Sequence, residues 1–374
     1  MKQWAGRAAW LAGVAALSLT TGCGTFFVYP GSTGSGGSSS GNYVYVANAT
    51  TETLAGFSVG TGTLTAVTNS PYSLGFAPTA VAINPANSIL FVGGSGAIYA
   101  FSIGTGGQLS LLNNGFAVGL ANVASMDISP DGKWLFALDQ NGITLDEFQI
   151  NSTTGVLTQL TGASYAVSGA TIVPKAVKIA PSGAYVFAAL GTAGDLVFPF
   201  NTSTGAISNP LTLSLPSGNS DNALAVSPSS SYLYIARSGT GGGVGVYTIG
   251  SGGTLTAVTG SPFSAGSRPF SVVVNNAGTD VYVGNQLDNS ISGYSVASSG
   301  TLTALTGSPY ANGSAVIALA ADRTGTYLLA AASSGTPDLT MYSFDSATVG
   351  KLDLATSTST GTDPTGPVAL AMTH

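Results

Sequence analysis

Few side chains in this sequence can do chemistry. The 374 residues contain one His, His374, and one Cys, Cys23, beside nine Lys and Arg and fifteen Asp and Glu. A zinc site draws three or four His, Cys or carboxylate ligands to one point, and one His with one Cys cannot supply such a set. The sequence therefore predicts no metal and no cofactor. The stretch Gly239-Thr240-Gly241-Gly242-Gly243 lacks the Lys and the following helix that a phosphate loop requires. Asp288 with Asn289, and Asp139 with Asn141, offer the oxygen ligands calcium prefers, but pairs of this kind read as turn formers. General-base chemistry near neutral pH needs a His or a shifted carboxylate. Glu52 reads as a solvated loop charge, and Glu147, in a third-strand pattern, as a residue on the outer surface.

The scarcity of charge points to a fold. Only 24 residues are charged, the net charge is −6, 44% are apolar and 52 are Gly. A disordered chain needs low hydrophobicity and high charge, and helices are built from residues that Gly, Thr, Ser and Val replace here. What remains is an all-β chain with many tight turns. With no basic cluster, a nucleic-acid partner has no electrostatic footprint.

The N-terminus reads as an address. Residues 1–22 combine Lys2 and Arg7 with an apolar run over 8–19 that is too short to span a bilayer. The run ends in Leu19-Thr20-Thr21-Gly22-Cys23, which resembles a bacterial lipobox. The resemblance implies that Cys23 is acylated and becomes the mature N-terminus. Gly24 in place of an Asp then favours the outer membrane, on its periplasmic or cell-surface side. Residues 23–41 form a Gly/Ser-rich tether of the flexible kind, and 42–374 form the domain. Contact with the membrane is expected through the lipid alone.

Internal repeats specify the domain. A Gly-x-apolar unit recurs at Gly62, Gly107, Gly155, Gly205, Gly253, Gly300 and Gly350, and an aromatic precedes each: Phe57, Phe101, Phe148, Phe200, Tyr247, Tyr294 and Tyr342. Every unit holds four short apolar runs separated by turn residues, the pattern of a four-stranded antiparallel blade. Seven units of 45 to 50 residues predict a seven-bladed β-propeller. The domain opens in the phase of a second strand, at Tyr43-Val44-Tyr45-Val46, and ends in the phase of a first, innermost strand. Residues 367–373 are therefore expected to pair with 43–48 and close the ring.

Tyr45-Val46-Ala47-Asn48, Leu90-Phe91-Val92-Gly93 and Tyr282-Val283-Gly284-Asn285 resemble the YVTN-like repeats of the lactonase-type seven-bladed propellers, over residues 42–374. That family includes 6-phosphogluconolactonase. The resemblance implies reacting groups at the channel mouth: a His soon after a Pro at the start of an innermost strand, with Arg and Glu. Aligned innermost strands place Ala80, Ser125, Ala176, Ala223, Ser271, Ala318 and Ala369 at that position. None is a His. The same alignment puts Asp127 and Lys178 at equivalent positions of neighbouring blades, a structural pair, and puts Lys175, Asp221 and Arg268 at or just before strand entries. These three are the candidate contacts for an anionic ligand at the mouth.

The resulting expectation is a cell-envelope lipoprotein whose propeller acts as a binding or scaffold module for an envelope protein or glycan. The alternative is a 6-phosphogluconolactonase-type lactone hydrolase in carbohydrate metabolism, using Lys175, Arg268 and Asp221.

Overall fold

The computed structural model describes residues 41–374 apart from 142–143, 161–162, 165–170, 323 and 362–366. The expected leader and nearly all of the tether, Cys23 included, lie outside the described residues. Among those described, the strands form seven antiparallel sheets, each with four main strands. The first strands of the sheets, Pro78–Ile83, Val123–Ile128, Ala176–Ile179, Asn219–Val226, Pro269–Val274, Val316–Ala321 and Pro367–Met372, touch one another in a closed ring. This is the seven-bladed propeller that the repeats predict. We number the blades 1 to 7 from the one that contains Tyr43, and call the end where innermost strands begin the upper face.

Strands form because β-branched and aromatic residues recur between turn residues, and the blades stack because both sheet faces are apolar. In blade 2 the strand Ile89–Gly94 is buried at every position. The apolar side chains gather into seven clusters, each drawn from two adjacent blades. Stability thus resides in the seams, at roughly 1.5–3 kcal/mol for each large side chain buried.

The repeated glycines make the turns between third and fourth strands. All seven have φ between +69° and +85°, a region open to Gly without steric cost. Polar tips of aromatic residues lock these turns to the preceding blade. Tyr45 donates to Gly107 O at 2.6 Å, Trp134 Nε1 to Thr202 O at 2.7 Å, Tyr232 to Ser298 O at 2.7 Å and Tyr282 to Gly350 O at 2.6 Å. At the ring junction the Tyr327 hydroxyl accepts from Gly62 N–H at 3.0 Å.

The ring closes as expected. Val44 pairs with Met372, Tyr45 with Ala371, Val46 with Leu370 and Ala47 with Ala369. One repeat position needs correction. Opposite the second strands, register places Phe148 against Leu135 and Tyr247 against Leu233, but in blade 4 it places Phe198, not Phe200, against Val186. Phe200 lies past the strand end at Pro199 and packs edge-on against Phe136, with ring centroids 5.0 Å apart.

Candidate site at the upper mouth of blades 4 to 6

Arg237 sits near the end of the second strand of blade 5, Tyr232–Gly239, directly across from Asp221 on the innermost strand. The side chains meet in a two-pronged ion pair, Nε to Oδ1 at 2.6 Å and Nη2 to Oδ2 at 2.8 Å, and Nη2 also donates to the Tyr247 hydroxyl at 3.3 Å. Burial works against the guanidinium charge, but the hydrogen bonds and charge of Asp221 outweigh it and raise the Arg237 pKa. Asp221 N–H reaches back to Gly191 O of blade 4 at 3.2 Å.

Asp195 opens the third strand of blade 4, Asp195–Pro199, and is 2% exposed. Its carboxyl oxygens accept no hydrogen bond. Burial first, and then the negative Asp221, push its pKa well above the carboxylate range. Burial and the neighbouring Asp221 thus favour the protonated form of Asp195, while Arg237 balances Asp221 inside the seam of blades 4 and 5.

Beside this seam an upper-face cleft of about 400 Å³ is lined by Thr171, Thr192, Ser217, Asn219, Ser220 and Ser238. Its walls come from blade 4 and from the entry to blade 5, so hydroxyls and one amide border it. Lys175 stands at the entry to blade 4 and Arg268 at the entry to blade 6. Arg268 is exposed, has φ of +56°, and lies 5.8 Å above the Phe270 ring centre. Lys175 is half-buried, and burial first, then the charge of Arg268, lower its pKa. Among the described residues neither cation forms an ion pair; the cations that do are Lys133, Lys178, Arg237 and Lys351.

Of the three expected mouth residues, Lys175 and Arg268 stand at the strand entries of blades 4 and 6, and Asp221 turns away from the mouth. Asp221 is fully buried. The innermost strand of blade 5 begins two residues earlier, at Asn219, and a register shift between Asp221 and Ala223 accompanies the turn of the carboxylate into the seam. It holds Arg237 and offers no oxygen to a ligand. Asp127 and Lys178 stand on neighbouring innermost strands, with Oδ1 and Nζ 3.4 Å apart. Asp127 Oδ2 also accepts from Ile179 N–H at 2.8 Å, and Ser125 Oγ from Val177 N–H at 3.1 Å.

Register confirms that Ala80, Ser125, Ala176, Ala223, Ser271, Ala318 and Ala369 are equivalent, each paired with the matching residue of its second strand. His374 lies elsewhere, with Nε2 3.0 Å from Ile83 O. Glu52 is exposed in the turn between the second and third strands of blade 1. Glu147 overturns its sequence reading: it is 3% exposed, not on the surface, because it lies directly across from the buried Phe136. Its Oε1 has no hydrogen-bond partner, and burial pushes its pKa up to about 7. Asp288 and Asp139 cap backbone N–H groups of Ser267 and Asn141. Arg237 and Asp195 escaped the sequence reading. The available signal was a charge abutting an apolar run, Tyr232-Leu233-Tyr234-Ile235-Ala236 before one and Leu196-Val197-Phe198 after the other.

Residues 174–366, which carry the whole of this arrangement but Thr171, match the model of the lactonase, 7-bladed beta-propeller family. The chain belongs to that family. Solved structures agree on its fold. A Lactobacillus plantarum protein is 18% identical with a TM-score of 0.74, over 89% of this chain and 100% of the other. A Bacteroides fragilis protein described as a candidate 6-phosphogluconolactonase is 18% identical with a TM-score of 0.69, over 92% and 100%. The periplasmic gluconolactonase of Pseudomonas aeruginosa is 17% identical with a TM-score of 0.66, over 89% and 99%. At these identities the likeness is one of fold. No curated protein matches the sequence of this lactonase-family chain.

Proposed function

We propose that this lactonase-family propeller is an exported lipoprotein, anchored through Cys23 to the outer membrane, whose upper mouth binds a small polyhydroxylated anion of the sugar-acid kind. The observation that carries the reading is the pair Lys175 and Arg268, two cations without a carboxylate partner among the described residues, at the strand entries of blades 4 and 6, on the same upper face as a hydroxyl-bordered cleft of blades 4 and 5. A guanidinium presents paired N–H donors to a carboxylate or phosphate, and an ammonium adds a point charge. The Ser and Thr hydroxyls can donate to or accept from sugar hydroxyls. A ligand held this way need not be transformed, so an envelope glycan carrying acidic sugars fits the same mouth. Titration calorimetry with gluconate and 6-phosphogluconate tests the reading. Lys175→Ala and Arg268→Ala should each weaken binding about tenfold or more, and added salt should weaken it further. Unchanged affinity in both variants would refute it.

A second reading, lactone hydrolysis, draws support from the family and from the gluconolactonase among the similar structures. It requires a base within reach of water and a donor set for the oxyanion. Lys175 and Arg268 supply donors. Asp195 and Asp221 are sealed in the seam, which leaves the base to be supplied otherwise. Hydrolysis of glucono-δ-lactone well above background, abolished in both variants, would establish this second reading over the first.

A further inference from the structure

Six of the innermost strands carry a register shift at their upper end, one residue before the ring of Ala80 and its counterparts. A bulge of this kind re-aims one side chain. The residues so placed are Thr79 in blade 2, Ala124 in blade 3, Asn222 in blade 5, Phe270 in blade 6, Ile317 in blade 7 and Val368 in blade 1. Lys175 holds the same position in blade 4, just before Ala176. Thr79 and Asn222 reach along the mouth to the entry of the next blade: the Thr79 hydroxyl donates to Val123 O, and Asn222 Nδ2 to Pro269 O at 2.8 Å.

Phe270 reaches further in the same direction. The apolar cluster in the seam of blades 6 and 7 gathers Tyr282, Val316 and Leu328, but Phe270 packs against the cluster of blades 7 and 1, which holds Ile317 and is bordered by part-buried Leu370. A blade 6 side chain arrives there by passing the innermost strand of blade 7 on the channel side. That strand and the innermost strand of blade 1, Val316–Ala321 and Pro367–Met372, are apolar throughout, and residues 318–321 and 369–371 are only partly buried. Other innermost strands flank them on both sides, so the water they meet is that of the channel.

In a ring of seven sheets, blade 4 stands across from the seam of blades 7 and 1. The wall there is polar: Ser125, Asp127 and Lys178 are all at least partly exposed, and Lys175 stands above them. The channel mouth is thus two-sided, charged along blades 3 and 4 and apolar from Phe270 round to Val368. Arg268 lies where the two meet, 5.8 Å above the Phe270 ring centre.

This asymmetry selects the occupant. Lys175 and Arg268, without a carboxylate partner among the described residues, call for an anion. A ligand hydroxylated on every side would have hydroxyls stripped of water against the facing wall, at a cost, whereas an apolar group gains by burial at the same place. We infer that the ligand of the upper mouth is an amphipathic sugar acid, a glycoside whose carboxylate meets Lys175 and Arg268 while its apolar aglycone lies across the opening on Phe270 and Val368. This rests on the reading of the upper mouth as an anion site and makes Phe270 and Val368 the residues that set specificity.

The test is titration calorimetry of the full-length protein with methyl and phenyl β-D-glucuronide, which share the carboxylate and the sugar hydroxyls and differ in the aglycone. The phenyl glycoside should bind about tenfold tighter or more, with the more negative heat-capacity change that apolar burial produces. Phe270→Ala, and Val368→Asn at a 40% exposed position, should each cut that preference about threefold or more. Lys175→Ala should weaken both glycosides and keep their ratio. Equal affinity for the two glycosides, with both weakened in Lys175→Ala, overturns the apolar subsite and leaves the anion site standing. A phenyl preference that survives in both Phe270→Ala and Val368→Asn puts the aglycone elsewhere and likewise overturns it. No binding of either glycoside overturns both readings.

Discussion

Lys178 Nζ stands 3.4 Å from Asp127 Oδ1, yet the shorter bond at that carboxylate, 2.8 Å, comes from the backbone N–H of Ile179 on the same neighbouring strand. The Lys178 side chain is 45% exposed and that of Asp127 22%. Solvent therefore screens the ion pair to about 1 kcal/mol or less, while a backbone hydrogen bond to a charged group contributes roughly 1.5–3 kcal/mol. The carboxylate ties blade 3 to the main chain of blade 4, and the ammonium is its lesser partner. Asp127→Ala should lower stability by about 2 kcal/mol and Lys178→Ala by under about 1 kcal/mol. Urea unfolding of both and of the double variant checks this; equal losses with coupling above about 1 kcal/mol would restore a symmetric pair.

Arg237 and Asp195 should respond in opposite ways. Removing the guanidinium with Arg237→Met strands Asp221 in a seam where nothing else balances it, at about 3–5 kcal/mol. Asp195→Asn keeps the shape and removes a group whose charged form burial disfavours, so its cost should stay within about 1 kcal/mol. The pKa of Asp195 is raised on folding, so between the ordinary Asp value and the folded one the native state holds a proton the unfolded state has released. Stability therefore falls as pH rises through that window, and Asp195→Asn should reduce the slope. Thermal melts across pH settle the point.

Glu147 should add a second slope of the same sign. Burial raises its pKa from 4.5 to about 7, so the stability present below pH 4.5 is lost progressively as pH climbs to about 7. The loss is about 3 kcal/mol in all, from 1.36 kcal/mol per pKa unit. Glu147→Gln keeps the shape and removes this titration, so its stability should decline less steeply than the parent's between pH 4.5 and about 7. A parent without that decline would place the carboxyl in contact with water.

Attachment through Cys23 predicts that the protein fractionates with membranes and that Cys23→Ser releases it. The described residues contain no helix long and apolar enough to cross a bilayer. Each buried CH₂ contributes about 0.8 kcal/mol. A Cys23→Ser protein that withstands a salt wash on the membrane would rule out the lipid as the anchor.

How far the sequence discloses such a molecule depends on what repeats. Gly62 and its six counterparts share one backbone requirement, a positive φ at a turn, so seven copies of it reveal both the period and the blade. Ring closure follows because phase is a property of the whole repeat. Phe200 was misplaced by two because spacing back from Gly205 does not register where the strand ends at Pro199. The site was only half legible for a related reason. Lys175 and Arg268 are found by their place before a strand, whereas the inward turn of Asp221 comes with one register shift, and its partner Arg237 lies on a different strand. Glu147 faces a seam at a strand position where the other blades carry Gly56, Ala100, Val197, Val246, Gly293 and Met341, and no pattern within its own blade discloses that.

Deleting residues 366–374 tests the closure that phase predicts. Val44, Tyr45, Val46 and Ala47 are 0% exposed, and on one side their ladder is completed by the C-terminal strand. Beyond that ladder Thr373 Oγ1 accepts from Tyr43 N–H at 2.9 Å, and Thr373 N–H returns a bond to Tyr43 O at 3.0 Å. Asn87 of blade 2 then grips His374 through both main-chain groups, at 2.8 and 2.7 Å. The truncation would leave a bare, apolar strand edge facing the channel and open the seams to blades 2 and 7. Exposed edges of this kind recruit other chains, so the truncated protein should aggregate and its melting temperature should fall. A synthetic peptide covering 366–374, added in trans, should restore a monomer, because the groove that receives it is otherwise intact. A truncated protein that remains monomeric with an unchanged melting temperature would mean that the strand is dispensable and that the remaining blades hold the ring without it.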